Sequence, residues 1–195
     1  VGTVVGSSWK GIDYIRAKAT SYNDANTEGQ IATRGAFTKI VKIAKSLMAS
    51  VIRPIWNPKA NKMSGFNYFF KTNFKLIDPM LEVAECEGIK ISIGDLPLPT
   101  NLAIADNAAV PRGVTISWDD NSGAFGALPD DQLRVVAICG DEAMALDPTG
   151  ITRMQETANV VIPFGANVDV RVFAFFENAN NKSFSNDINF LVHVS

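Results

Sequence analysis

This 195-residue chain has little of what most catalysis uses: one histidine, His193, and two cysteines, Cys86 and Cys139. A serine triad would have to take His193 as its base, yet that residue falls near the end of the last expected strand, on the face opposite Phe190, Val192 and Val194. It reads as an exposed strand histidine. One histidine and two separated cysteines supply no zinc ligand set. Nor do two cysteines make a disulfide framework, although a Cys86–Cys139 bridge stays open as an alternative. Cys86 lies between Glu85 and Glu87, whose charges disfavour a thiolate, and Cys139 sits in an apolar run as a simple buried thiol. No stretch approaches the ~18 uninterrupted apolar residues of a membrane span, because lysines punctuate the most apolar helical segment, Phe37 to Ile52. A signal-peptide pattern and an initiator methionine are also missing at Val1, from which an upstream segment is expected to have been removed or omitted.

What is present is an uneven distribution of charge. Residues 1–77 carry 12 Lys and Arg against 3 Asp and Glu, a formal +9, while residues 78–195 carry 6 against 17, or −11. The net charge of −2 conceals two opposed halves. They attract each other, within one molecule or between neighbours, wherever they come within a Debye length of ~8–10 Å. With 47% hydrophobic and 19% charged residues the composition is that of a soluble globular protein.

Val4, Val5, Trp9, Ile12, Tyr14 and Ile15 surround a Lys10-Gly11 turn, the pattern of a β-hairpin. Thr27 and Gln30 match a capping box, so a helix starts there and is expected to run to Arg53, where Pro54 stops it. Phe37, Ile40, Val41, Ala44, Leu47, Met48 and Val51 recur on its buried stripe, with Arg34, Lys39, Lys42 and Lys45 on the other side. After a break at Asn57-Pro58 and Asn61, Ser64 caps a shorter helix through Phe74, crowded with Phe66, Tyr68, Phe69 and Phe70, which packs on the first. Beyond Asp78-Pro79 the texture changes to short alternating runs between Gly, Pro, Asn and Asp, the mark of an antiparallel sandwich. Strands are expected near 89–93, 114–119, 133–139, 143–147, 158–162, 168–177 and 187–194. Within the sixth, Val168, Val170, Val172, Ala174 and Phe176 form a core face, with Asp169 and Arg171 opposite. The fold class is thus α+β: an N-terminal β-hairpin plus two helices (1–77, basic, an assembly module) joined to a C-terminal antiparallel immunoglobulin-like β-sandwich (78–195, acidic).

Ile116-Ser117-Trp118, Leu133 to Ile138, Ile162-Pro163-Phe164-Gly165 and Val168 to Val172 resemble, in their order, a fibronectin type III-like sandwich, with Trp118 as the core tryptophan of its second strand. Val168 stands where that fold usually carries its corner tyrosine. In the other half, Gly2 to Ile12 with its Gly-Ser-Ser-Trp-Lys-Gly run, then Tyr14-Ile15-Arg16, Gln30, Arg34, Phe37 and Ser64-Gly65-Phe66-Asn67, resembles the DUF6266 family of Bacteroidetes proteins. With Ser185-Asn186-Asp187 the likeness spans nearly the whole chain. That family has no assigned activity or catalytic residues. Its members usually carry a short Gly-rich leader ending in Gly-Lys before the position of Val1, so the resemblance implies either trimming after a basic residue or a tail that this sequence omits.

Several motifs imitate sites. Ser7-Ser8-Trp9-Lys10 fits the S-x-x-K nucleophile pattern, but no S-D-N or K-T-G companion exists and the run lies in a hairpin. Asp119-Asp120-Asn121-Ser122-Gly123 has the look of a calcium loop, yet its spacing fails at the fifth position and no Glu follows at the twelfth, so a turn is the better reading, with Asp130-Asp131 nearby. The basic helix and the aromatic segment interleaved with Lys62, Lys71 and Lys75 imitate a nucleic-acid or membrane surface. Helical spacing sends most of those rings inward, and the acidic half repels a polyanion. No cofactor, metal or catalytic residue is expected.

The expectation is a non-enzymatic structural subunit that assembles with copies of itself into an extracellular or cell-surface filament by N-terminal strand exchange. Val1, Val4, Val5 and Trp9 would make the contact, and Lys39, Lys42 and Lys45 would face acidic loops of the next sandwich. In-chain packing is the competing role for the same residues. The alternatives are a phage or prophage virion component and a monomeric adhesin or ligand-binding module. Against sugar binding, Trp118 is expected to be buried and the sandwich has no other tryptophan.

Overall fold

Strand alternation closes the first element of the computed structural model, which describes residues 3–9, 11–18, 21, 24–124, 126–146, 150–180 and 182–195. β1 (Val4–Trp9) and β2 (Ile12–Ala17) pair antiparallel around a turn in which Gly11 takes the left-handed φ of +80°. α1 (Glu28–Ser46) begins with the expected capping box: the Thr27 amide donates to Gln30 Oε1 at 3.2 Å and the Gln30 amide to Thr27 Oγ1 at 3.4 Å. Glu28 in its first turn and Lys45 in its last complement the helix dipole.

Pro54 does not end the helical run. After Leu47 the backbone widens into a π-helix, Met48–Trp56, with Pro54 inside it, then a turn of α2 (Asn57–Lys59). The Ile52 amide reaches back five residues to the Leu47 carbonyl at 3.0 Å. Interior proline costs about 3 kcal/mol. Val51, Ile52, Ile55 and Trp56 are all buried on this segment, and burying each is worth roughly 1.5–3 kcal/mol, so packing outweighs the lost bond. α3 (Gly65–Asn73) starts at the expected cap, Ser64 accepting from the Asn67 amide at 3.2 Å. The buried stripe of α1 is rotated slightly from its expected position. Ala36 and Ile43 join Ile40, Ala44 and Leu47 inside, whereas Phe37 is half exposed and lays its ring 5.0 Å from that of Phe70.

Among the described residues seven strands follow, in two antiparallel sheets. β3 (Thr100–Asn107), β4 (Gly113–Asp119) and β7 (Thr157–Val161) form one in the order β3-β4-β7. β5 (Gln132–Cys139), β6 (Glu142–Leu146), β8 (Val168–Glu177) and β9 (Ile188–Val194) form the other in the order β6-β5-β8-β9. Their inner faces share one core, in which Ile104, Ile116 and Trp118 meet Val135, Val172 and Phe176. This is a β-sandwich. The expected face of β8 lies in that core. Its opposite face, with Phe173 and Phe175, is also buried, in a second core with Ile40, Ile43, Leu47, Trp56 and Phe69 of the helices. Burial on both sides explains why β8 reads as a nearly unbroken apolar run.

Six of the seven expected strands are present. Residues 89–93 are not a strand: their backbone is satisfied by side chains, without a ladder partner. Asn73 bridges both main-chain groups of Lys90 at 2.8 and 3.0 Å, and Asp187 Oδ1 accepts from the Ile91 and Ser92 amides at 3.2 and 2.9 Å. Trp56 Nε1 donates to the Ile91 carbonyl at 2.8 Å. Burial pushes the Asp187 carboxyl up to about 6, against the opposing pull of the amides it accepts from. β3 is the strand absent from the expectation. A bulge after Thr100, with Asn101 at φ +53°, breaks its alternation.

By internal packing the chain divides into two units, 1–31 and 32–195. Residue 77, where the charge changes sign, falls within the second.

Candidate assembly surface

The register of the hairpin sorts its side chains into two faces. Val5 lies across from Arg16, Ser7 from Tyr14 and Trp9 from Ile12 on one; Val4 meets Ala17, Gly6 meets Ile15 and Ser8 meets Asp13 on the other. Every residue of both strands is exposed. Among its large apolar side chains exposure runs from 36% at Val5 to 74% at Ile15, with Trp9 at 62%. Isolated two-stranded ribbons are marginal in water. These six side chains are 36–74% exposed, so further burial would stabilise each by a part of the roughly 1.5–3 kcal/mol that full burial is worth. The exposed set extends past Val4, Val5 and Trp9 to Ile12, Tyr14 and Ile15; alternation along β2 is the signal that could have found them. Val1 and Lys10 lie outside the described residues.

The lysines are placed differently. Residues 1–31 balance three basic against three acidic side chains, so the whole excess of positive charge sits in 32–77, which has nine Lys and Arg and no Asp or Glu. That segment shares a unit with the acidic strands. Lys42 Nζ is 3.1 Å from Glu142 Oε1, Lys39 Nζ is 3.9 Å from Asp141 Oδ1, and Lys59 Nζ is 3.0 Å from Asp95 Oδ2. Lys39 also donates to the Leu81 carbonyl at 2.6 Å. Lys39 and Lys42 thus find carboxylates in their own chain, at the β5–β6 turn, while Lys45 is exposed in the last turn of α1.

The motifs resembling sites serve the fold. Phe69 is fully buried, and Trp56 meets Phe69 and Tyr68 edge-on at 5.0 and 5.4 Å, so the aromatic segment packs as core. In the loop after β4, Asp120 accepts from the Ser122 amide and hydroxyl at 2.8 and 2.7 Å, which holds its carboxyl below the usual range. Asn121 accepts from Arg153 at 2.6 Å and donates to the Leu98 carbonyl at 2.8 Å. Arg153 is fully buried, paired with Asp131 at 3.1 Å and stacked over the Phe176 ring, and its carbonyl takes the Trp118 indole N–H at 2.7 Å. Among the described residues no three His, Cys, Asp or Glu side chains gather as a metal site, and no helix is long and apolar enough to cross a membrane. His193 is exposed on β9, 2.8 Å from Asp169. Ser7 is exposed on the hairpin. Both cysteines are free thiols: Cys86 is buried, and Cys139 is half-buried, with its thiol pushed up by that burial and by Glu82. The Cys86–Cys139 alternative is not realised.

A family model described as "Family of unknown function (DUF6266)" matches residues 1–190. No curated protein matches the chain.

Proposed function

The chain belongs to the DUF6266 family, whose description assigns no function, and we propose that it is a non-enzymatic structural subunit that self-associates through its N-terminal hairpin into an extracellular or cell-surface polymer. The observation that carries this reading is the hairpin itself, with six large apolar side chains in water on a ribbon too small to be stable unaided. Strand addition offers it both main-chain bonds and burial. The lysines enter only as supports of the sandwich edge to which Lys39 and Lys42 bind.

The strand order also supports a fibronectin type III-like arrangement for the sandwich. Taking β3 to β9 as seven successive strands, the first, second and fifth share a sheet, and the third, sixth and seventh share the other. Relative to the immunoglobulin constant arrangement only the fourth strand, β6, has changed sheets.

Light scattering of the full chain at high concentration and low ionic strength tests the assembly reading. Species larger than one chain are expected, reduced to single chains by the pair Ile12→Lys and Ile15→Lys with the unfolding midpoint unchanged. Solitary molecules under all these conditions would sink it.

A further inference from the structure

Resting on that reading, we infer that the acceptor is the outer edge of β6 in a second copy of this chain, which pairs antiparallel with β2 so that Ile12, Tyr14 and Arg16 lie opposite Leu146, Met144 and Glu142.

The sandwich has four edge strands, and they are not equivalent. On one side β3 is broken by its bulge at Asn101, and Ser195, just after β9, accepts at its carbonyl from the Arg112 amide of the β3–β4 turn at 2.8 Å, which ties the two edges together. On the other side β7 runs into Pro163, which has no N–H to give. β6 contains neither bulge nor proline. Its exposed Met144 borders a shallow groove with Phe164, Ala143 and Ser46, and the acidic turn Asp141-Glu142 stands at its start.

Hydrogen-bond parity selects the register. In the hairpin the Lys18 amide donates to the Thr3 carbonyl at 2.7 Å, so the bonded pairs alternate through Arg16, Tyr14 and Ile12. The main-chain groups of Asp13, Ile15 and Ala17 then point outward from β2. The two-residue turn of β5 and β6 likewise makes Glu142 and Met144 bonded to β5, leaving Ala143 and Ala145 outward. Joining outward to outward sets Ile15 against Ala143 and Asp13 against Ala145. This puts Tyr14 directly opposite Met144, a ring against a thioether, Ile12 opposite Leu146, and the Arg16 guanidinium opposite the exposed Glu142 carboxylate, which it would share with Lys42 of the acceptor chain. No like charges face each other. A slip of two residues in either direction loses the match of Arg16 to Glu142. Because donor and acceptor are different parts of the chain, each added copy presents a new edge, and the contact propagates instead of closing.

Cross-linking tests the register. Tyr14→Cys and Met144→Cys both replace side chains that are 44% exposed, and in a non-bonded antiparallel pair their Cβ atoms stand ~4.5–5.5 Å apart, close to disulfide reach. In a Cys139→Ser background, mild oxidation of an equal mixture should yield a disulfide-linked heterodimer that neither variant forms alone, and a Ser8→Cys partner in place of Tyr14→Cys should not link. Tyr14→Cys chains linking to each other would show that hairpins pair with hairpins; this overturns the acceptor while leaving hairpin-driven assembly standing. A doubly substituted chain that closes only on itself places the pairing within one molecule and overturns the second copy. No link in the mixture, with association still abolished by the Ile12→Lys and Ile15→Lys pair, overturns β6 alone; no link and no association overturns both.

Discussion

Two antiparallel strand pairs, β1–β2 and β5–β6, are each joined through two intervening residues, yet they differ in burial. Leu133, Val135, Val136, Ala137 and Ile138 of β5 are all buried, shared between the sandwich core and the layer beneath the helices. None of the twelve residues of β1 and β2 is buried. Turn chemistry and alternation are enough to specify a ribbon, but whether that ribbon stabilises the fold depends on what lies against its two faces.

The widest gap between the regions should appear on truncation. Ile40→Ala, in the core beneath the four-stranded sheet, is expected to cost about 2–5 kcal/mol in urea unfolding, whereas Ile12→Ala on the hairpin should move the same transition by less than about 0.5 kcal/mol. Equal losses would mean that the hairpin is part of the folded core.

Next comes pH. With its pKa raised to about 6 from an ordinary value near 3.9, ionised Asp187 opposes folding. The stability it confers is complete below about pH 4 and is lost as pH rises through about 6, a span of roughly 3 kcal/mol. Asp187→Asn keeps an acceptor for the Ile91 and Ser92 amides and should flatten that slope; an unchanged slope would assign the titration elsewhere. Hairpin variants should leave it untouched.

The smallest effect is expected at the surface pair. Lys42→Ala removes a partner of Glu142 and should cost no more than about 0.5 kcal/mol, less still in high salt. A loss well above 1 kcal/mol would show that the charge contrast between the halves contributes to stability much more than one exposed pair can.

Much of the fold was legible because local chemistry announced it. Thr27 with Gln30, Ser64, and the alternation through Val168 to Phe176 each encode their own structure within a few residues. The errors have a common cause in distant partners. Residues 89–93 looked like a strand because Ile89, Ile91 and Ile93 alternate, but their backbone is claimed by Asn73 and Asp187, far away in the chain. Pro54 looked like a terminator until the burial of Ile55 and Trp56 outweighed it. β3 hid behind its bulge. For the candidate surface, Val4, Val5 and Trp9 could be found from the hairpin pattern, whereas the carboxylates that meet Lys39 and Lys42 could not, since opposite charge alone leaves open whether its partner is in the same chain.

By itself the sequence determined the helix caps, the hairpin, most of the sandwich strands and where charge of each sign would lie, because capping, alternation and composition act over a few residues. Only the tertiary structure decided that residues 89–93 are not a strand, that β8 is buried on both faces and that Lys39 and Lys42 meet carboxylates of their own chain. Burial and ion pairing depend on which distant residues approach one another, and that is a property of packing.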